Sequence, residues 1–146
     1  MRPHHKLEAW NEALELVTEV YRITENFPRE ERYGLTSQFR RAAVSIPANI
    51  AEGATRFSSK EFARFLSNAQ GSASELETEL IIAHRLRYLD DASFFGLSTP
   101  LERIGRLITG FSKHVGGTIV RQARAIACES TIYHLRFTIH QPWLFN

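Results

Sequence analysis

The spacing of apolar residues is the feature that most constrains what this chain can fold into. Over most of its 146 residues, apolar side chains recur every three or four positions. That period places them on one face of an α-helix, whereas a half-buried strand alternates at every second residue. Four segments follow the helical period, at approximately 6–26, 33–56, 59–89 and 91–117. Helices of this length joined by short loops predict an all-α fold, an antiparallel up-down-up-down four-helix bundle.

Turn and capping signals separate the four segments. Pro28 predicts the end of the first helix, because proline disfavours a helical conformation at the residue before it. Ser58 and Glu61 have the spacing of a capping box and predict the start of the third helix. Pro100 offers either a second start or a kink in the fourth segment. The cations and paired glycines of "KHVGG", residues 113–117, predict the end of that segment.

The end of the chain is less regular. Residues 118–127 can extend a basic helix, but from Tyr133 to Ile139 apolar residues alternate with polar ones, which is the pattern of a strand. Because a single strand is unstable by itself, this tail must pack on the bundle, pair with another subunit or stay disordered. We expect an ordered tail that makes an intermolecular or surface contact. The chain therefore divides into a four-helix bundle, residues 1–127, and a C-terminal tail, residues 128–146.

Composition predicts a soluble protein of the cytoplasm. The hydrophobic fraction of 43% and the charged fraction of 23% are ordinary for one globular domain. The single cysteine, Cys128, cannot form an internal disulfide, which suits a reducing compartment. No stretch approaches the roughly 18 consecutive apolar residues of a membrane span. The first ten residues also lack the apolar core of a secretory signal, so we expect neither membrane insertion nor export.

Charge is distributed unevenly, although the net charge is only +2. Residues 1–31 carry seven acids against four Lys and Arg, whereas residues 103–146 carry six Lys and Arg against one acid, Glu129. A basic C-terminal third can attract nucleic acid. It can equally face the acidic first helix of the same chain or of a neighbouring subunit. The candidate phosphate contacts are Arg103, Arg106, Lys113, Arg121 and Arg124.

Known catalytic and metal-binding motifs are absent from the sequence. The chain contains no GxGxxG, GxxxxGK[ST], HExxH or CxxC pattern. A di-iron bundle needs Glu three residues before His, but Ile81 holds that position relative to His84. His4 and His5 belong to the N-terminal end and are expected to be solvated. We therefore expect no enzyme activity, no metal, no cofactor and no small-molecule substrate.

Polar residues form a ridge beside the apolar stripe on each of the two central segments. Their steps of three and four keep them on one helical face. The members are Gln38, Arg41, Ser45, Asn49 and Glu52 in the second segment, and Ser72, Glu75 and Glu79 in the third.

These ridges predict an interhelical network. Arg41 is expected to meet Glu75 or Glu79, and Asn49 to bond a backbone group freed by Pro47. Proline at 47 removes the N–H that would reach the carbonyl of Ala43, so a kink or break is expected. Gly53 either allows close packing or ends the helix. Paired carboxylates can also perform acid–base chemistry, but no nucleophile accompanies these, so a structural or interface network is favoured.

The stretch "SIPANIAEG" followed by "FLSNAQGSASELETEL" resembles the signature of a known family. These are the four-helix-bundle proteins named for the intervening sequences of bacterial 23S ribosomal RNA genes. The resemblance covers about residues 5–120 and departs after about Ala127. The matching positions, which the resemblance implies are fold and assembly residues, are Ser45, Pro47, Asn49, Glu52, Gly53, Ser72, Glu75 and Glu79.

The resemblance also implies an assembly. It indicates an up-down-up-down bundle that forms a ring-shaped homopentamer. A relative in the superfamily, the accessory protein of diversity-generating retroelements, is a basic pentameric barrel that binds nucleic acid and the reverse transcriptase. Most members have no established molecular activity, and the family has no catalytic set to transfer.

Three functional hypotheses follow. The first is a non-enzymatic homo-oligomer that binds nucleic acid, structured RNA in particular, or a ribonucleoprotein through its basic surface. The second is a protein-binding scaffold that uses the helix grooves or the edge from Tyr133 to Ile139. The third is an enzyme that uses Glu52, Glu75 or Glu79.

Overall fold

The computed structural model describes the backbone of residues 3–138 and the side chains of residues 3–115. Within that range every regular element is helical, which confirms the predicted all-α fold. Two 3-10 helices lie at Pro3–Lys6 and Arg29–Tyr33. The four α-helices are α1 (Glu8–Thr24), α2 (Leu35–Ala54), α3 (Ser59–Arg85) and α4 (Asp91–Thr138).

The four α-helices lie at the corners of a square, and each packs against its two neighbours. Each of α1 and α3 contacts both α2 and α4, whereas within the described residues the diagonal pairs α1–α3 and α2–α4 do not touch. Helices α2 and α3 run antiparallel, since Ser45 meets Ser72 while Gly53 lies against Phe62 and Phe65. Neighbours along the chain are therefore neighbours in space, as the up-down-up-down topology predicts.

A single hydrophobic core runs between the four helices. Phe39, Ile46 and Ile50 of α2 are fully buried and face leucines and alanines of α3. Small side chains such as Ala69 and Ala73 let the two helices approach closely. The Phe27 ring closes one end of the core, 5.9 Å from the ring of Phe39. The apolar period of the sequence therefore corresponds to the buried face of each helix.

Two prolines predicted to break or start helices lie inside them. Helix α2 continues through Pro47, which is buried in the core. Packing of α2 on both sides of the proline offsets the roughly 3 kcal/mol that an interior proline costs. Pro100 lies inside α4, which begins at Asp91. A break at Pro47 and a second start at Pro100 are therefore excluded, while the kink expected as the alternative at each position stays a prediction.

The predicted end of the fourth helix was also wrong. Helix α4 continues through residues 113–117 and reaches Thr138, giving it 48 residues and a length of about 72 Å at 1.5 Å per residue. Glycine inside a helix costs only about 1 kcal/mol relative to alanine, which a long helix can absorb. Residues 133–138 are helical, so the strand predicted there was wrong as well, and Ile139 lies outside the described residues.

The start of α3 was predicted correctly, whereas the motif that ends the helix was not predicted. Helix α3 begins at Ser59 directly after Ser58, but the Ser58 side chain makes no capping hydrogen bond, so the predicted capping box does not form. At the other end, the N–H groups of Arg87 and Tyr88 donate to the carbonyls of His84 and Ala83 at 3.0 and 2.9 Å. Arg87 takes a left-handed conformation with φ of 64°, which completes a Schellman motif at a position that usually holds glycine.

Candidate functional site

A chain of hydrogen bonds links α2 to α3 at the middle of the bundle. The Asn49 amide donates to the Ser45 hydroxyl at 3.0 Å, and the hydroxyls of Ser45 and Ser72 lie 2.9 Å apart. The Ser72 hydroxyl donates onward to the carbonyl of Asn68 at 3.1 Å. Either hydroxyl can be the donor in the Ser45–Ser72 pair. The structure thus brings together three residues of the two polar ridges.

Asn49 was expected to hydrogen-bond a backbone group freed by Pro47, but it does not. Its amide donates to the carbonyl of Ser45 at 2.8 Å, one turn earlier in α2, and not to the carbonyl of Ala43 that Pro47 leaves without an N–H. The amide spans only one turn from position 49, and Ala43 lies beyond that reach. Asn49 therefore orients Ser45 toward α3.

Gly53 marks a close approach between α2 and α3. A Cβ added at this position would lie 2.7 Å from the Cβ of Phe65 and 2.9 Å from Cδ2 of Phe62. The first contact is to an atom fixed to the backbone of α3, so it cannot move away by a rotamer change. Helix α2 ends one residue later, at Ala54. Gly53 therefore lies both at a closely packed contact and near the end of the helix, the two roles predicted as alternatives for it.

Glu79 is the one strongly perturbed carboxyl group among the described residues. Only 5% of the residue is exposed, and its Oε2 has no hydrogen-bond partner in the described part of the chain. The pKa of Glu79 is raised from its ordinary value of 4.5 to about 7: burial is the largest cause, the charge of Glu75 contributes to the rise, and the charge of Arg41 opposes both. The charge of Arg41 acts on the pKa of Glu79, but within the described residues Arg41 forms no ion pair with Glu75 or Glu79. The contact predicted between Arg41 and these glutamates is thus an electrostatic interaction without a direct ion pair.

Glu52 is separate from this group. Its carboxylate pairs with Arg56, four residues later and just beyond the end of α2. Ser45 lies opposite Ser72 in an antiparallel pair, so Glu52 is displaced toward the α2–α3 turn while Glu75 and Glu79 are displaced away from it. The three carboxylates predicted as an alternative acid–base set therefore do not form one cluster.

Two of the predicted phosphate contacts pair with carboxylates of the same chain. The Arg103 guanidinium contacts Glu8 and, at 2.8 Å, Glu12, both on α1. Arg106 pairs with Glu102, one turn earlier on α4. The arginine side chains remain 55% and 66% exposed, so solvent and ligands can reach both. Lys113 is exposed, while the side chains of Arg121 and Arg124 lie outside the described ones.

A cleft that sequence analysis missed lies on the outer side of α1 and α2. It has a volume of about 680 Å3, and its charged lining consists of Arg32, Arg40, Arg41 and Glu75. We call it the arginine cleft. The sequence gives little signal for it because its residues come from α1, the Arg29–Tyr33 turn, α2 and α3. The adjacent pairs "RY" at 32–33 and "RR" at 40–41 were the available hints.

Neither a metal site nor a membrane span is found in the described part of the chain. No three His, Cys, Asp or Glu side chains there are close enough to share a metal ion. None of the helices searched there combines the length and the apolar character that a bilayer crossing needs.

Fold and contacts together define a helical-bundle protein whose polar network joins α2 to α3. The model of the 23S rRNA-intervening sequence protein family matches residues 5–110, so the chain belongs to that family, as the resemblance predicted. A crystal structure of a protein of unknown function, from the S23 ribosomal protein family of Bacteroides thetaiotaomicron, has the same fold. It is 23% identical, with a TM-score of 0.66, and the match covers 72% of this chain and 98% of that one. No curated protein sequence matches the chain.

Proposed function

We propose that this protein is a non-enzymatic homo-oligomer that binds nucleic acid, structured RNA in particular, or a ribonucleoprotein through one face of α4. The observation that carries the proposal is the continuity of α4 from Asp91 to Thr138. Since an α-helix turns by roughly 100° per residue, the five candidate cations fall within an arc of about 80°. They are Arg103, Arg106, Lys113, Arg121 and Arg124, which we call the basic stripe.

The basic stripe lies away from the core. Leu101, Ile104 and Ile108 are buried residues of α4, and their positions are on the opposite side of the helix from the stripe. Between positions 103 and 124 the stripe is about 32 Å long. Cations arranged along one side of a rod can contact successive phosphates of a nucleic-acid backbone.

The ion pairs of the stripe leave its arginines available. Exposed ion pairs are worth about 0–1 kcal/mol, because water and salt screen them. A guanidinium makes stronger, bidentate hydrogen bonds to phosphate. Arg103 and Arg106 can therefore exchange Glu8, Glu12 and Glu102 for phosphate oxygens at little cost.

Oligomerisation belongs to the same proposal. The family resemblance implies a ring of five copies, and five stripes would convert a modest patch into an extended basic surface. Apolar residues exposed near one end of the bundle supply area that a second copy can cover; they are Ile81, Ile82, Leu86 and Phe95. Sedimentation analysis of the purified protein should give a mass five times that of one chain. A monomer at micromolar concentration would contradict this part.

The test of nucleic-acid binding is its salt dependence. Retention of a ribosomal RNA fragment should weaken steeply with salt, because each phosphate contact releases a counterion. Changing Arg103, Arg106 and Lys113 together to Gln should reduce the slope of log K against log salt by about 1 for each lost contact. The same change at Lys60, an exposed cation at the start of α3, is the matched control. Absence of retention at low salt would contradict the proposal.

A protein-binding scaffold is the second candidate. The contact of Arg103 with two acids of α1 favours it, because part of the stripe already has a partner within the chain. Charge reversal at Arg103 and Arg106 should leave protein partners bound in that case and should abolish RNA retention in the first. We expect a cytoplasmic protein without a cofactor under either candidate.

A further inference from the structure

The arginine cleft has the components of an anion-binding site. Three guanidiniums, from Arg32, Arg40 and Arg41, line it together with the hydroxyls of Thr36 and Ser37. Guanidiniums and hydroxyls are the groups that proteins use to bind phosphate oxygens. The cleft also borders the first turn of α2, where the helix dipole adds positive potential. Glu31 already caps that turn, since its carboxylate accepts from the N–H of Leu35 at 3.0 Å.

The positive charge of the arginine cleft is only partly balanced. Within the described residues, neither Arg32 nor Arg40 nor Arg41 forms an ion pair with a carboxylate. The one carboxylate in the lining is Glu75, on the α3 side. The lining therefore carries a net charge of about +2, from three arginines and one glutamate. This differs from the basic stripe, where acids pair with Arg103 and Arg106.

One of the three arginines is held rigidly in place. Arg40 donates through Nε to the hydroxyl of Thr24 at 2.8 Å, and its guanidinium lies 4.6 Å from the centre of the Tyr21 ring. Thr24 is buried and bonded to the carbonyl of Val20 at 2.8 Å, so it is itself fixed. A fixed guanidinium loses little entropy when a ligand binds, which increases affinity.

An aromatic ring stands at the edge of the same cleft. Tyr33 is 89% exposed, although a ring of that size is usually covered in a folded protein. The Arg32 guanidinium lies 5.7 Å from the centre of its ring. An open aromatic face beside arginines is the arrangement on which bases stack in nucleic-acid-binding proteins, because every base has a flat π surface.

We infer that the arginine cleft binds a nucleoside phosphate, with the phosphate on its three arginines and the base on Tyr33. Its volume of about 680 Å3 is in the range of small-molecule sites. The carboxylate of Glu75 can accept hydrogen bonds from sugar hydroxyls. This ligand chemistry has two sources, a free nucleotide or one nucleotide of a single strand. Helices α2 and α4 occupy diagonal corners of the bundle, so the cleft is separate from the basic stripe.

Fluorescence titration of the full-length protein tests the inference. The probes are a fluorescent adenine nucleotide and a labelled ten-nucleotide single strand, each competed with inorganic phosphate. Arg41→Gln and Tyr33→Ala should each weaken binding about tenfold, because each removes a charged hydrogen bond or a stacking surface. The matched controls are Arg64→Gln and Phe57→Ala, an exposed arginine and an exposed aromatic residue near the α2–α3 turn. Neither control should change the affinity.

The outcomes are distinct. Binding of the free nucleotide that Arg41→Gln weakens supports the inference with a free nucleotide as the source. Binding of the single strand alone, with the same loss in the variant, supports it with a strand as the source. Binding of neither probe, or binding that both cleft variants leave unchanged, overturns it. So does a change in oligomer mass in those variants without a change in affinity, since the cleft would then be a contact between copies.

The same experiment separates this inference from the proposed function. Changing Arg103, Arg106 and Lys113 to Gln should leave the nucleotide affinity of the cleft unchanged while it reduces RNA retention. If RNA retention fails in the wild-type protein but the nucleotide still binds, the proposed function is wrong and the cleft assignment stands.

Discussion

Two interhelical contacts of this bundle use polar residues, neutral ones in the first and charged ones in the second, and they differ in exposure. Between α2 and α3, Ser45, Asn49 and Ser72 are partly buried and hydrogen-bonded in sequence, and Gly53 allows close approach. Between α1 and α4, Arg103 reaches Glu8 and Glu12 across an open cleft of about 530 Å3. The first contact is partly buried and closely packed, whereas the second is exposed to solvent.

The difference shows that exposure decides what a polar contact contributes. A hydrogen bond shielded from water stabilises a fold by about 1 kcal/mol, and removing one partner leaves the other unsatisfied. An exposed ion pair contributes about 0–1 kcal/mol and weakens with salt. The α2–α3 contact therefore stabilises the bundle, while the α1–α4 contact leaves its cations available for ligands.

The largest effect is expected at Glu79, the buried carboxyl group of the α2–α3 contact. Its pKa of about 7 exceeds the ordinary 4.5, so the folded state binds the proton more tightly than the unfolded state. The free energy of unfolding should therefore decrease as pH rises from about 4.5 to about 7, by about 3 kcal/mol in total. Glu79→Gln should remove this decrease and stabilise the protein at pH 8.

Urea unfolding between pH 4 and pH 8 measures this effect. Glu77→Gln, which removes an exposed carboxylate of the same helix, is the control and should leave the pH dependence unchanged. Glu75→Gln should weaken it, because the charge of Glu75 raises the pKa of Glu79. A pH dependence that survives in Glu79→Gln would show that another group causes it.

The next effect concerns the closeness of α2 and α3. Gly53→Ala should destabilise the protein by about 2 kcal/mol, because the new Cβ meets an atom of Phe65 that cannot move aside. Gly71→Ala is the matched control: no atom lies within 4 Å of its added Cβ, so the variant should be up to about 1 kcal/mol more stable. Thermal unfolding of both variants gives the comparison. Equal stabilisation by the two changes would contradict the close approach.

A smaller effect is expected from the hydroxyl pair. Ser72→Ala should cost about 1 kcal/mol, because it leaves the Ser45 hydroxyl without its partner on α3. A double-mutant cycle with Ser45→Ala should show that the two losses are coupled. Ser74→Ala, which removes an exposed hydroxyl bonded only to its own helix, should cost much less. Additive losses at 45 and 72 would mean that the hydroxyls act independently.

The smallest effect is expected at the α1–α4 contact. Arg103→Gln should change the free energy of unfolding by less than about 1 kcal/mol, and salt should shrink that difference. Arg106→Gln, which removes a pair within α4, should behave similarly. Denaturant titration at low and high salt measures both. A loss of several kcal/mol at Arg103 would place this contact in the same class as the buried one.

Most of the fold could be predicted from the sequence because burial follows the helical period. The ends of α1, α2 and the start of α3 lie within a few residues of the predicted positions. The errors fall where local signals are weak. Residues 113–117 and 133–138 carry the glycines and the alternation that suggested a helix end and a strand, but the continuation of α4 overrides both.

The candidate sites likewise include contacts that the sequence predicted and contacts that it did not. The three-and-four spacing brought Ser45, Asn49 and Ser72 onto facing ridges, and the structure joins them. Charge had offered the acidic first helix as a partner of the basic third, and Arg103 does contact Glu8 and Glu12 there. The sequence could not show which residues pair, because ninety-five positions separate Arg103 from Glu8. Nor could it reveal the arginine cleft, whose lining comes from four elements that meet only after the bundle closes.

Glu79 separates the two contributions most clearly. In "ELETEL" the sequence by itself determined a helix with glutamates at 75, 77 and 79, because glutamates favour helices and the leucines at 76 and 80 keep the apolar period. Only the tertiary structure decided which of these glutamate side chains is buried away from solvent. Packing of α3 in the bundle buries Glu79 and leaves Glu75 and Glu77 exposed, and desolvation then raises the pKa of Glu79.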